Sequence, residues 1–242
     1  MYRFRIWTAI TAAIAGVISV FLITLPMYGM DETRERTKAD QRLQEAADVF
    51  SEIITADDKS IPQDLLNHAH CIVIVPGLKK GAFIFGGEYG RGFVDCRNQA
   101  PNGGWSAPAA VRIEGGSVGF QAGGSETDLI LLVMNPRGED RLLSSQFTLG
   151  AEGGVAAGPV GRHATAQTDA KFTAEILSWS RSRGVFAGLS LQGATLRQDL
   201  DTNQAMYRSR LENRAIVTKP IKAPRAANRL LSLLNRYSRK ES

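Results

Sequence analysis

The hydrophobic pattern changes at Cys71, and this change constrains the fold more than any other feature. From that point short apolar runs recur between glycines, as in "CIVIVP" (71–76) and "TDLILLVMN" (127–135). Short apolar runs rich in β-branched residues are typical of buried strands. The 24 glycines suit a sheet with tight turns better than a helical protein. The sequence therefore predicts a body built on a sheet, with 127–135 as a central strand.

The order of the predicted elements indicates the fold class. We expect a strand at 71–76, two strands within 81–97, a hairpin over 107–124 that turns at Gly115-Gly116, and two strands joined at Gly184. Short helices are expected after Ser60, over 139–146 and from Asp199 onward. The alternating rhythm of a parallel sheet is missing. The prediction is α+β: a mostly antiparallel, strongly curved β-sheet or barrel-like core with flanking helices, preceded by an N-terminal transmembrane helix.

Residues 1–30 are predicted to be a membrane anchor or signal. The run from Ile6 to Leu25 has 20 residues without a charge, which is long enough to cross a bilayer as a helix. Arg3 and Arg5 precede it, and we favour an anchor that is not cleaved because no good cleavage site follows. The body, attached by this single N-terminal span, is then expected to be periplasmic or otherwise extracytoplasmic.

Residues 31–58 form the first helix of the predicted domain, which we place at 31–207. Apolar residues recur there at helical spacing: Leu43, Ala46, Ala47, Phe50, Ile53 and Ile54. Two interpretations remain open at this point. The apolar face either docks on the core of the domain or lies on a membrane surface.

The charge of the chain is concentrated in a basic tail, placed at 208–242. The net charge is +5, but residues 205–242 contain ten Lys/Arg and two acids, which leaves −3 on the first 204 residues. The segment "RAANRLLSLLNRYSRK" (225–240) has the pattern of a basic amphipathic helix suited to an anionic membrane. The alternatives are a disordered tail and a tail packed on the domain.

Motifs for catalysis and metal binding are weak. Ser117 stands in a G-x-S-x-G pattern, but strand and turn residues follow where a nucleophile elbow needs a helix. Asp199-x-Asp201-x-Asn203 lacks the glycine and glutamate of a calcium loop, so an N-cap explains it better. His68, His70, Cys71 and Cys96 lack the usual spacing of zinc ligands. The two cysteines could pair outside the cytoplasm, or remain separate buried thiols. We predict no metal, no cofactor and no enzyme.

Basic residues at predicted strand ends and turns are the candidate binding site. Proteins ordinarily hold a phosphate group with the guanidinium N–H groups of arginine and with backbone N–H groups in turns. Arg181 and Arg183 lie two apart, so in a strand both point to one face. The alternative is ion pairing with acids such as Glu88, Asp95, Glu126 or Glu175. The proposed lipid-binding residues are Lys79, Lys80, Arg91, Arg181 and Arg183.

Four segments in order resemble the SYLF domain, also described as the yeast-type actin-binding domain. They are "GLKKGAFIFGGEYGRGF", "WSAPAAVRIEGGSVGFQAGGSETDLILLVMN", "FTLGAEGGVAAGPVGR" and "WSRSRGVFAGLSLQGATL", and the likeness covers roughly Ala47 to Tyr207. The resemblance implies a lipid-binding module: eukaryotic relatives bind phosphoinositides, and some bind actin filaments. Bacterial relatives are usually exported or lipid-anchored. This chain resembles the bacterial form, with a spanning helix in place of an acyl anchor.

The predicted function is therefore a membrane-anchored module that recognises anionic phospholipid or phosphoinositide-like head groups. Its partners would be anionic membrane lipids, with a protein partner as a further candidate. Nucleic acid is not expected, because the body is net acidic and its aromatic residues lie at core-like positions. Actin is an unlikely partner in an anchored bacterial context. The alternatives are an envelope interaction protein without a lipid ligand and, more remotely, a serine hydrolase that uses Ser117.

Overall fold

The computed structural model describes residues 31–56, 60–82, 85–98, 103–118, 123–150, 154–159, 174–182, 185–188 and 193–238. Within these ranges, none of the helices combines the length and the apolar character that a membrane span requires. The predicted anchor falls on residues 1–30, outside the described residues, and stays a prediction.

Helix α1 covers residues 31–55 and docks on the sheet. Leu43, Phe50 and Ile53 of its apolar stripe are fully buried, and Ile54 is partly buried. Burying each of these large side chains stabilises the fold by about 1.5–3 kcal/mol relative to leaving it exposed. The prediction of an amphipathic helix is confirmed, and so is the docking interpretation. The membrane-surface alternative was wrong, because the core of the domain already covers the apolar face.

Nine strands form one sheet, in which eight lie in the order β5-β9-β3-β2-β1-β4-β7-β6 and β8 pairs with β7. Every pair is antiparallel except β6 with β7, so the predicted mostly antiparallel, strongly curved sheet is confirmed. The strands are β1 Cys71–Ala82, β2 Phe85–Cys96, β3 Ala109–Val118, β4 Gly123–Val133, β5 Gln146–Thr148, β6 Val155–Ala157, β7 Ile176–Ser182, β8 Val185–Gly188 and β9 Thr195–Gln198.

Both faces of the central strands are buried. On β1, Ile72 and Ile74 point into one apolar cluster, whereas Val73 and Val75 point into the other. The first cluster lies beneath α1, and the second lies beneath the short helices on the opposite face. Two-sided burial explains why the runs at 71–76 and 127–135 are apolar throughout instead of alternating with polar residues. The central position predicted for 127–135 is confirmed, since β4 pairs with both β1 and β7.

The predicted hairpin turn at Gly115-Gly116 was wrong. Both glycines lie inside β3, where they continue the ladder with β2 opposite Glu88 and Gly87. A Cβ on Gly115 would stand 2.7 Å from Cγ of Glu88, so the glycine makes room for the neighbouring strand's side chain. The sequence signal was genuine, but glycine here allows close packing across strands rather than a turn. The two strands joined near Gly184 were predicted correctly, as β7 and β8.

Short helices cover the ends of the sheet. Their bounds are α2 Gln63–His68, α3 Pro136–Leu142, α4 Leu200–Tyr207, α5 Asn213–Thr218 and α6 Asn228–Tyr237, with a 3₁₀ turn at Arg225–Ala227. Asn135 caps α3 through its side chain, and Asp199 caps α4 by accepting from the Thr202 N–H at 3.2 Å. The predicted N-cap in the 199–203 motif is thus confirmed. The helix expected directly after Ser60 is α2, which begins at Gln63 with Pro62 at its N-cap.

The basic tail packs on the domain. Leu230 and Leu234 of α6 are fully buried and belong to the same apolar cluster as α1. Gln44 of α1 also donates to the carbonyl of Ala226 at 2.8 Å. The division predicted at residue 207 therefore does not separate two packed units, and α6 has its apolar face on protein rather than on a membrane. This is the domain-packed alternative of the sequence analysis.

Cys71 and Cys96 form a disulfide that joins the start of β1 to the end of β2. The two residues stand directly opposite in the antiparallel register, with their Cα atoms 4.0 Å apart, and both are buried. Pairing was one of two alternatives that the sequence left open. Spacing along the chain could not decide it, because only the strand register brings the two sulfurs together.

The close approach of β1 and β2 can be tested at Gly92. A Cβ at this position would lie 2.0 Å from the carbonyl oxygen of Ile74 and 2.8 Å from Cα of Val75, both in the backbone of β1. Since backbone cannot move aside cheaply, we expect Gly92→Ala to lower the free energy of unfolding by about 3 kcal/mol or more. Urea denaturation measures this difference.

Gly81 provides the matched control on the neighbouring strand. No atom of the described residues lies within 4 Å of a Cβ built there. Gly81→Ala should leave stability unchanged or raise it by up to about 1 kcal/mol through the unfolded chain. Equal effects of the two substitutions would contradict this account of the strand contact.

Candidate functional site

The five predicted lipid-binding residues are distributed over three strands. Lys79 and Lys80 lie in β1, Arg91 lies in β2 and Arg181 lies in β7, whereas Arg183 is outside the described residues. Their surroundings differ, because two of the four described cations are largely buried and two are at the surface. Each of the four has its own set of contacts.

Arg91 makes two ion pairs, one with α1 and one with Asp199. Its Nη1 lies 3.0 Å from Oε2 of Glu35 on α1, and its Nε lies 2.8 Å from Oδ2 of Asp199. Burial acts to lower the pKa of Arg91, but Asp199 and Glu35 outweigh it and raise the pKa above its ordinary value. A hydrogen bond from Lys38, with help from Arg91, lowers the pKa of Glu35. Arg91 thus joins α1 to the sheet and to the cap of α4.

Arg181 is held in the same way near the other end of α1. Its Nε donates to Oδ2 of Asp128 at 2.7 Å, and its guanidinium also contacts the carboxylate of Glu52 on α1. Asp128 accepts in addition from the backbone N–H of Gly77 at 2.9 Å. The ion-pair alternative predicted for the arginines is confirmed here, although the partner acids are Asp128 and Glu52 rather than those proposed from the sequence.

The two lysines of β1 are more accessible. Lys80 pairs with Glu88 on β2 at 3.0 Å and keeps 37% of its side-chain surface exposed. Lys79 is exposed and makes no ion pair within the described ranges. Of the predicted cations, Lys79 and Lys80 are therefore the ones that could meet an external anion without first breaking contacts between α1 and the sheet.

Three exposed cations on one segment of the tail were not among the predicted site residues. Lys219, Lys222 and Arg225 lie on the connection between α5 and α6, and none of them pairs with an acid in the part of the chain that the structure describes. Ile221 and Ala223 between them pack against the apolar clusters, which fixes this connection to the body. We call Lys219, Lys222 and Arg225 the basic connection. The signal available in the sequence was three cations within "TKPIKAPR" and no acid among them.

Ser117 is not placed as a nucleophile elbow would require. It lies inside β3, opposite Gly86 of β2, and the next described element is the strand β4 from Gly123. Among the described residues, a strand rather than a helix comes next after Ser117, unlike the strand-turn-helix geometry that exposes a catalytic serine. His163, the histidine that the chain order would recruit, lies outside the described residues. The structure gives the hydrolase alternative no support.

Asp95 is a buried carboxyl group, which the sequence indicated only as a candidate ion-pair partner. It is 1% exposed, and neither of its oxygens has a hydrogen-bond partner among the described residues. Burial raises the pKa of Asp95 well above its ordinary value of 3.8. Arg97, two residues on, donates instead to the carbonyls of Leu66 and Ala69, and burial lowers its pKa to about 10.

The pKa of Asp95 predicts how stability depends on pH. The folded state keeps a proton that the unfolded chain releases above about pH 4, so the free energy of unfolding should fall as pH rises beyond that point. Asp95→Asn removes this titration. We expect the variant to gain stability over the wild type as pH increases from 4 to 7, measured by urea denaturation at each pH. Asp201→Asn, at an exposed position, should give no such pH-dependent gain, and a parallel pair of profiles for Asp95→Asn would refute the assignment.

Comparison with known proteins identifies the family. The Ysc84 family, described as "Las17-binding protein actin regulator", matches residues 114–237, which is about half of the chain. The SH3 domain-containing protein PJ696.02 of Schizosaccharomyces pombe is 35% identical over 179 residues, which cover 72% of this chain and 41% of the relative.

Two further relatives align over similar lengths. SH3 domain-containing YSC84-like protein 1 of Homo sapiens is 30% identical over 207 residues, 85% of this chain and 59% of the relative. LAS seventeen-binding protein 3 of Saccharomyces cerevisiae is 33% identical over 183 residues, 73% of this chain and 39% of the relative. The chain thus spans between 39% and 59% of the length of these relatives. The matches confirm the SYLF resemblance, and the chain belongs to the Ysc84 family.

Proposed function

We propose that this chain is a non-catalytic binding domain that engages an anionic phospholipid surface. The observation that carries the proposal is the basic connection: Lys219, Lys222 and Arg225 are exposed and make no ion pair within the described ranges. Arg91 and Arg181, in contrast, are held by acids of α1 and the sheet. The function inferred from the sequence is kept, but its main contact moves from the arginines of the sheet to the basic connection.

The energetics fit a reversible contact. Each Lys or Arg near an anionic leaflet contributes about 1 kcal/mol. Three cations then contribute about 3 kcal/mol, which corresponds to roughly 100-fold in affinity. Lys79 and Lys80 remain candidates for a second contact at the end of β1. Such a contact weakens with salt, since the Debye length is about 8 Å at physiological ionic strength.

Two features support a location at a membrane outside the cytoplasm. The uncharged run from Ile6 to Leu25 is long enough for a span. The disulfide between Cys71 and Cys96 fits an oxidising compartment, where such bonds persist. An anchor would raise the local concentration of lipid that the domain meets, so that weak electrostatic contacts suffice. The location is part of the proposal.

A protein partner is the second candidate. The family description and the name of LAS seventeen-binding protein 3 both point to Las17 as a partner of relatives. A dry protein interface usually needs an apolar patch. Among the described residues, Tyr89 is the only large hydrophobic side chain that is exposed, at 48%. A polar, charged contact is therefore favoured over an apolar docking surface, and actin, unlikely from the sequence alone, belongs to this second candidate.

The proposal predicts the binding of residues 31–242 to vesicles. Both apolar clusters are formed within this segment, so it retains the whole described fold. It should bind vesicles that contain phosphatidylserine and not vesicles of phosphatidylcholine alone. Replacing Lys219, Lys222 and Arg225 by Ala should lower the affinity about 100-fold at physiological salt. Co-sedimentation across a range of lipid concentrations measures the change.

A second triple variant matches the loss of charge. Arg137, Arg210 and Arg214 are exposed cations, each paired with an acid, and their replacement by Ala should change the affinity less than tenfold.

A double variant, Lys79→Ala with Lys80→Ala, tests the end of β1. If that variant loses binding while the basic connection can be neutralised without effect, the contact surface is the end of the sheet. Equal binding to neutral and anionic vesicles, insensitive to salt, would refute lipid recognition, and saturable binding to Las17 or filamentous actin would then favour a protein partner.

A further inference from the structure

Three potential metal ligands meet where α3 crosses the ends of β1 and β2. Cys71 begins β1, Cys96 ends β2, and Glu139 reaches the pair from α3. Both sulfurs and a carboxylate oxygen of Glu139 lie within 4.8 Å of one another. The sulfurs are buried, whereas Glu139 keeps 23% of its side-chain surface exposed. The cluster therefore has an apolar floor and one side open to solvent.

His70 adds a fourth donor next to this group. Its Nδ1 lies 3.3 Å from Oε2 of Glu139. The backbone of His70 is fixed on both sides, because its N–H donates to the carbonyl of Val133 at 2.7 Å and its carbonyl accepts from the N–H of Arg97 at 2.8 Å. His68, by comparison, points elsewhere, with its Nδ1 at 2.8 Å from the carbonyl oxygen of Asp64.

We propose that reduction of the Cys71–Cys96 disulfide creates a site for a thiophilic divalent cation, Zn²⁺ being the best match. The ligands would be the two thiolates, a carboxylate oxygen of Glu139 and the imidazole of His70. Zinc takes four such ligands in a tetrahedral arrangement, at about 2.3 Å for sulfur and about 2.0–2.2 Å for nitrogen and oxygen. Three of these donors, the two sulfurs and a Glu139 oxygen, already lie within 4.8 Å of one another, and the His70 imidazole would have to turn from its contact with Glu139 to complete the set.

The chemistry balances with a named reductant. A dithiol or phosphine gives two electrons to the S–S bond, which breaks to leave two thiols once two protons are taken up. Zn²⁺ then displaces those two protons as it binds the thiolates. The same sulfur atoms cannot be joined to each other and bound to a metal, so the disulfide and the metal site exclude one another. Soft thiolates also select Zn²⁺ over Mg²⁺ or Ca²⁺, which prefer oxygen ligands.

The strand pairing brings together metal ligands whose spacing in the sequence did not indicate a site. The two cysteines are separated by 25 residues, unlike the paired spacing of common zinc motifs. The antiparallel register of β1 and β2 nevertheless sets them opposite one another, and α3 adds an acid from much later in the chain. None of its residues belongs to the basic connection, so metal binding and lipid binding can be measured separately; the two proposals share only the disulfide, whose intact form supports the location proposed above and whose reduced form supplies the metal ligands.

The test is metal binding by the purified full chain in its two redox states. Co²⁺ serves as a spectroscopic probe, since thiolate ligands give it a charge-transfer absorption and tetrahedral geometry gives visible bands. After reduction with a phosphine and anaerobic removal of the reductant, the chain should bind one Co²⁺ per molecule and release it to Zn²⁺. The oxidised chain should give no thiolate bands. Circular dichroism follows the fold in both states.

Two pairs of variants separate the site from its surroundings. Glu139→Gln should lower the affinity of the reduced chain for Zn²⁺ at least tenfold, whereas Asp140→Asn, at the next and exposed position of α3, should leave it unchanged. His70→Asn should likewise weaken binding and His68→Asn should not. Cys96→Ser should abolish the sulfur-to-cobalt band. Circular dichroism checks that each variant has the wild-type fold. If a variant does not fold, the test rests on the comparison of the reduced with the oxidised wild type.

Several outcomes would overturn the proposal. A reduced, folded chain without thiolate bands excludes the site. Bands that are indifferent to both Glu139→Gln and His70→Asn show that the cysteines bind metal without the predicted geometry. If reduction unfolds the chain and Zn²⁺ does not restore its circular dichroism, the cluster does not act as a metal site either.

Discussion

Burial of both faces of strands β1 and β4 is the constraint on which the remaining structure depends. Because Ile72 and Ile74 face one apolar cluster and Val73 and Val75 face the other, the sheet needs a cover on each side. Helix α1 supplies much of the first cover, together with α6 from the far end of the chain. The second cover is made by α3, α5 and the short strand β5. Residues from 39 to 234 thus contribute to one body.

The position of α1 also decides what the arginines of the sheet can do. Arg91 and Arg181 reach Glu35 and Glu52, which lie on the same helix. An arginine that is half-buried between a helix and a sheet needs an acid nearby, since an unpaired buried charge costs several kcal/mol. Their contacts therefore serve the attachment of α1 first. The cations of the basic connection do not attach a helix to the sheet in this way, because they are exposed at the surface.

Much of the fold could be predicted from the sequence, because the governing signals were local. Periodicity located α1, the apolar run located β4, and the 199–203 motif located the cap of α4. The turn at Gly115-Gly116 was placed wrongly because glycine signals both a turn and close strand packing, and only the neighbouring strand distinguishes the two.

The candidate sites were harder to predict. The partners of Arg181 on β4 and α1 depend on strand order and on how α1 docks. Local residue spacing predicts neither of these. The same holds for the cysteine pair, whose meeting depends on the register of β1 and β2. The basic connection was visible as a cluster of charge, but its exposure became clear only once Ile221 and Ala223 were placed against the core.

The short outer strands have a consequence for association between copies of the chain. In the described part of the sheet, β5 and β6 at the two ends have three residues each, and β8 beside β7 has four. A strand of that length offers few unpaired amide and carbonyl groups, and exposed edges of longer strands are the usual template for unwanted polymerisation. Among the described residues, the strands at the two ends of the sheet therefore give another polypeptide little backbone to add to, whereas the centre of the sheet is wide and heavily buried.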